Sequence, residues 1–224
     1  MKKMGEEETL VGTHMELAEK VALLENGEKG YSFSSYNGTI ATVLELVEYG
    51  SNVIGFLDRN GEAYRIFENV RRRTAGLSFT YLDSISSKTL QKAINDKTVL
   101  VWVESIKTPF IEIPDLEMIG NICKDHNIVS ICDNSNATPH IVQPLRFGID
   151  IVVNDSRCFL GGLNGVDLGF AVVASDREFL RDKLGFLRNT LGSHPGITES
   201  EFVRDALETF TERMENKNTC SSYI

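Results

Sequence analysis

Residues 98–104 read TVLVWVE, a run of β-branched, aliphatic and aromatic side chains with no polar alternation. A strand of that kind is buried on both faces, and such strands belong to sheets covered by helices on either side. Shorter runs of similar character recur at 30–35 (GYSFSS), 52–57 (NVIGFL), 76–82 (GLSFTYL), 127–133 (NIVSICD), 149–153 (IDIVV) and 167–174 (DLGFAVVA). Most of the segments between them have helical spacing. The expected helices cover 39–50, ended by Gly50, then 62–74, then 86–96 with a serine N-cap, and 114–126 with Pro114 at its start. Two amphipathic stretches, DREFLRDKLGFLRNTLG and TESEFVRDALETFTERMENK, follow the last strand. The alternation predicts an α/β fold of three layers around a mostly parallel sheet. The stripe Phe202, Ala206, Phe210 and Met214 on the last helix needs a covering surface, and NKNTCSSYI reads as a frayed tail.

The 224 residues carry a net charge of −9, which disfavours bulk electrostatic binding to nucleic acid or anionic membrane. No apolar run approaches the roughly 20 residues of a membrane span, and the start MKKMGEEETLVGTH has no signal-peptide core. The four scattered cysteines (Cys123, Cys132, Cys158, Cys220) suit a reducing compartment. The expectation is a cytoplasmic protein with no nucleic-acid or membrane partner.

In open α/β sheets, ligands bind beyond the carboxyl ends of the strands. That places interest on SSYNG (34–38), DRNG (58–61), ESIKTP (104–109), DNSNATPH (133–140) and NDSRCFLGG (154–162). Asp133, closing a buried strand, is read either as a partnered carboxylate or as the cap of the following loop. Glu104 ends a neighbouring strand, and structural capping is preferred there over a carboxylate dyad. Cys123 and His126 outline half a zinc site without a second pair, so no metal is expected. No serine elbow accompanies His126 or His140, so a hydrolase triad is unsupported. The run Arg71–Arg73 reads as a solvated helix end.

The stretch LVWVESIKTP…CDNSNATPHIVQPLRFGIDIVVNDSRCFLGG…VDLGFAVV resembles the Cys/Met-metabolism enzymes that use pyridoxal phosphate, such as cystathionine γ-lyase and cystathionine γ-synthase. The resemblance runs from about residue 15 to 215 and implies the large domain of the fold-type I transferases. It also implies three segments: a flexible acidic N-terminus (1–14), the transferase-like domain (15–195), and a helix with a frayed tail (196–224). The family's C-terminal small domain is expected to be absent.

Carried over position by position, the resemblance gives Asp133 the role of partner to the cofactor's pyridine nitrogen, which keeps the ring an electron sink. The Schiff-base lysine position falls on Cys158, whose thiol cannot form the imine. The phosphate-binding serine and threonine fall on Asp155 and Arg157. The first of these repels phosphate, while Arg157 is a possible contact. Ser35 is a vestige of the Ser-Gly phosphate cradle, followed by Tyr36 in place of glycine. The ring-stacking tyrosine falls on Asn60, the asparagine beside the ring hydroxyl on Thr108, and the neighbour-reaching Tyr-x-Arg on Glu6 and Glu8. Gly161 and Gly162 are kept.

The resemblance therefore implies a pseudoenzyme related to the transsulfuration enzymes, with pyridoxal phosphate lost or weakly bound and no catalytic residue. Such a chain acts as a scaffold or regulatory subunit, as a homo-oligomer or together with an intact paralogue. The alternative is residual sulfur amino-acid chemistry with non-covalent cofactor. A third reading, a reactive thiol at Cys158 beside Arg157, is set against a small residue filling the space a lysine left.

Overall fold

Two apolar faces on one sheet set the architecture. The computed structural model describes residues 12, 15–162 and 165–221. Helix α1 (15–24) leads into β1 (Lys29–Phe33) and α2 (Tyr36–Val43). Strand β2 (Asn52–Phe56) is followed by a continuous helical stretch: α3 (Glu62–Ile66), a π turn (Phe67–Arg71) and α4 (Arg72–Thr74). Next come β3 (Ser78–Tyr81), α5 (Ser87–Ala93), β4 (Thr98–Glu104) and α6 (Leu116–Asp125). Strand β5 (Val129–Asp133), the short α7 (Thr138–Ile141), β6 (Ile151–Asp155) and β7 (Gly169–Val173) complete the sheet. Helices α8 (Glu178–Thr190), α9 (Ile197–Glu208) and α10 (Phe210–Ser221) end the described chain.

The strands lie in the order β1-β7-β6-β5-β4-β2-β3. Strands β3, β2, β4, β5 and β6 pair in parallel, and β7 runs antiparallel to both β6 and β1. The mostly parallel α/β sheet read from the sequence is therefore present. Its one reversed strand follows from the β6–β7 connection, whose described residues hold one π turn (Ser156–Leu160) rather than the crossover helix a parallel return needs.

One face packs Val53, Trp102, Ile131, Val153 and Ala171 against α2, α3 and α8. The other packs Ile54, Val101, Val103 and Val152 against α5 and α6, and Phe170 and Val172 against α1, α9 and α10. The apolar stripe at the end of the chain is partly covered here, since Phe210 and Met214 are buried beside Leu17 and Val21 while Phe202 is exposed. The expected frayed tail is corrected over 216–221, where α10 continues to Ser221. Arg213 donates to the Phe159 and Leu160 carbonyls, and Lys217 lies 4.0 Å above the Phe159 ring, so the helix is tied to the turn after β6.

Local chemistry sets the other boundaries. Ser86 caps α5 as read, in a reciprocal box with Thr89. Helix α6 begins at Leu116 rather than Pro114 because Asp115 accepts from the Met118 amide. The first crossover helix starts at Tyr36, not residue 39, because Ser35 Oγ accepts from Gly38 N at 2.9 Å. That helix lies hard against the sheet: a Cβ on Gly169 would stand 2.0 Å from Thr39 Oγ1 and 2.8 Å from the Ser35 carbonyl. Glycine at 169 thus brings the α2 N-terminus, and Tyr36 with it, over the strand ends.

Candidate functional site

The parallel strands β2, β4, β5 and β6 deliver Asp58, Glu104, Asp133 and Asp155 to one edge of the sheet, and β1 delivers Ser35 and Tyr36 to the same edge. Glu104 and Asp133 are register partners across β4 and β5, and both are buried. Glu104 caps the β2 end by accepting from the Asp58 amide at 3.1 Å through each oxygen. Burial, and then the charge of Asp133, raises Glu104 to about 8.

Asp133 is engaged on both oxygens. Its Oδ1 accepts from the Ser135 amide at 3.0 Å and from Ser135 Oγ, and its Oδ2 accepts from the Tyr36 hydroxyl. Burial raises Asp133, and the Ser135 and Tyr36 hydrogen bonds partly offset that rise. Burial and then the Asp133 charge push the Tyr36 phenol well up, so it stays a donor. The backbone of Tyr36 is fixed at its other side, where its amide donates to Asp167 Oδ1 at 3.0 Å.

The turn after β6 is organised around Arg157. Its guanidinium donates to Asp155 at 2.8 and 3.1 Å and to Glu62 Oε2 at 2.6 Å, with Asp167 3.6 Å away. Those hydrogen bonds hold Arg157 further above its ordinary range, and its fork is turned toward carboxylates. Burial raises Asp155, whose amide also donates to Ser135 Oγ at 2.8 Å. Cys158 follows at an exposed position; desolvation by its neighbours, then Asp155 and Asp133, pushes its thiol up to about 12. That direction is opposite to the lowering an activated thiol shows, and Arg157 only partly offsets it.

The remaining sequence candidates separate by role. Ser35 spends its hydroxyl on capping α2. Asn60 folds back onto Asp58, and Thr108 Oγ1 donates to Asp58 Oδ2 at 3.2 Å. Gly162 takes a left-handed φ of +67°, while a Cβ on Gly161 would stand 2.8 Å from the Ser156 carbonyl. Glu6 and Glu8 lie outside the described residues. Cys123 is buried on α6 and burial pushes its thiol up to about 12; His126 caps the same helix. Arg71 is not the solvated end the sequence implied, because it is buried and pairs with Glu45 at 2.7 Å. Tyr36 is the member of the cluster whose role the sequence reading missed. A tyrosine next to a helix N-cap gives no sign of which way its ring turns.

A mostly parallel sheet with its chemical groups at the strand ends, and an aspartate closing a central strand, defines an α/β protein whose candidate site lies beyond the carboxyl ends of its strands. The chain belongs to the Cys/Met metabolism PLP-dependent enzyme family, whose model matches residues 9–224. It is 40% identical over 195 residues to the cystathionine beta-lyase of Coxiella burnetii, covering 87% of this chain and 50% of that protein. It is 34% identical over 203 residues to the cystathionine gamma-lyase of Bacillus subtilis, covering 91% and 53%. Among solved structures, cystathionine gamma-lyase from Lactobacillus plantarum complexed with L-serine superposes with a TM-score of 0.87 at 28% identity, over 94% of this chain and 56% of that one. The chain thus spans about half the length of the curated relatives it matches. Among the described residues, no helix is long and apolar enough to cross a membrane.

Proposed function

We propose that this chain is a non-catalytic relative of the transsulfuration enzymes that works as a scaffold or regulatory subunit. It would do so by associating with a second copy or with an intact paralogue. The observation that carries the reading is the state of Asp133. The carboxylate assigned to the pyridine nitrogen already accepts from Tyr36 on one oxygen and from Ser135 on the other.

Tyr36 is rooted at the vestigial phosphate cradle and bonded at the pyridine-nitrogen end, so its side chain spans the gap the cofactor would fill. At the lysine position stands Cys158, which supplies no amine, and at the phosphate positions stand Asp155 and an Arg157 already shared among carboxylates. These residues do not fit pyridoxal phosphate. Solution mass and co-purification test the reading. Self-association, or recovery of a full-length family member bound to the tagged chain, is the expected result. A strict monomer that recovers no such paralogue counts against it.

The second reading, sulfur amino-acid chemistry with non-covalent cofactor, draws on one feature: an aspartate at the right place, buried, at the end of β5. Bound there, the cofactor would supply an electron sink for carbanion chemistry. Release of thiol or α-keto acid from cystathionine by the purified chain would establish this reading over the first.

A further inference from the structure

We infer that Glu25, Asn134 and Asn154 form a buried binding site for a monovalent cation. Glu25 sits just past the end of α1, Asn134 follows β5, and Asn154 lies within β6; all three are 0% exposed. Both amide nitrogens donate to the same carboxylate oxygen, Glu25 Oε1, at 3.0 Å from Asn134 and 2.7 Å from Asn154. The other oxygen of each group has no hydrogen-bond partner among the described residues. Glu25 Oε2, Asn134 Oδ1 and Asn154 Oδ1 are three of the six buried side-chain polar atoms in that condition.

The amide orientations are fixed by chemistry. Asn134 Nδ2 also donates to the Val142 carbonyl at 2.9 Å, so turning that amide over would set oxygen against two acceptors. Turning Asn154 over would set its oxygen against the carboxylate. Each orphan oxygen is therefore two bonds from an atom that joins the cluster, and all three are acceptors. Buried polar atoms in native proteins are satisfied, so three neighbouring acceptors call for a shared donor or a cation.

Three candidates differ in how much they satisfy. A proton on Glu25 gives one hydrogen bond, and a water gives two while leaving a buried carboxylate uncompensated. A monovalent cation balances the single charge and takes acceptors alone as its partners, which is what the three orphan oxygens are. A divalent ion fits less well, because the one carboxylate of Glu25 leaves its second charge uncompensated in a buried site. No cation among the described residues compensates Glu25, which burial raises to about 7 against the lowering effect of the two amides. The site would pin α1 to the ends of β5 and β6.

Thermal melts at matched ionic strength in potassium, sodium, ammonium and choline chloride test this. The expected result is a rise of about 3 °C over choline in at least one small cation at tenfold its Kd, and loss of that rise in Glu25→Gln. Equal melting in all four salts, or an ion-specific rise that persists in Glu25→Gln, would overturn the site. Should the variant not fold, crystals of the unaltered protein soaked in thallium(I) decide the matter. An anomalous peak among the three oxygens supports the site, and its absence there refutes it.

Discussion

Raising the pH from about 5 to about 9 is expected to destabilise this protein by on the order of 3 kcal/mol, and Glu104→Gln to remove much of that loss. Burial and then the facing charge of Asp133 raise Glu104 from 4.5 to about 8, against the lowering effect of the Asp58 amide it accepts from. Between those values the folded protein keeps a proton that the unfolded chain releases. The unfolded state then binds fewer protons, so stability is full below about 4.5 and declines as pH rises through 8. Burial moves Asp133, Asp155 and Glu25 the same way, so the decline is shared. Glutamine at 104 keeps the shape while removing one ionisation. Urea midpoints across this range measure the effect. A wild-type stability that stays flat or rises toward alkaline pH would show that Glu104 is not held protonated.

Trp102→Ala is expected to cost about 3–5 kcal/mol, the usual range for removing a large buried aromatic. Trp102 sits on β4 between β2 and β5, is 0% exposed, and meets Phe67 edge-on with ring centroids 5.4 Å apart. Removing it opens the layer between the sheet and the α3 stretch, where Phe67 in turn stacks on Phe79 at 4.8 Å. That cost is a large share of the roughly 5–15 kcal/mol that holds a domain together. Urea unfolding reads it directly. A loss under about 1 kcal/mol would mean the layer closes over the gap.

Both expectations rest on a scaffold that was largely legible in the sequence. All seven strands coincide with apolar runs, because buried parallel strands leave a continuous signature that turns and caps interrupt. Helix 15–24 is not among the helices expected from the sequence, although Leu17, Ala18, Val21 and Ala22 sit at helical spacing and are buried. The reversal of β7 was also not visible, since direction depends on what the connection contains rather than on the strand. Residues of the site were found through the resemblance and through the rule about strand ends. Their mutual bonding was not. Whether Tyr36 points inward, whether Arg157 faces phosphate or carboxylate, and whether Glu25 is buried are all set by tertiary packing. Glu25 in particular reads as an ordinary polar residue at a helix end.

Both oxygens of Asp133 are engaged by Tyr36 and Ser135, and the proposed function rests on that engagement. Adding pyridoxal phosphate to the dialysed protein and recording visible absorbance, with borohydride reduction and intact mass alongside, tests it most directly. The expected result is a spectrum equal to protein plus free cofactor and no one-to-one adduct. The same is expected for Cys158→Lys, because Tyr36 and Asp155 remain in place. A saturable one-to-one cofactor band in the unaltered protein, abolished by Asp133→Asn, would contradict it.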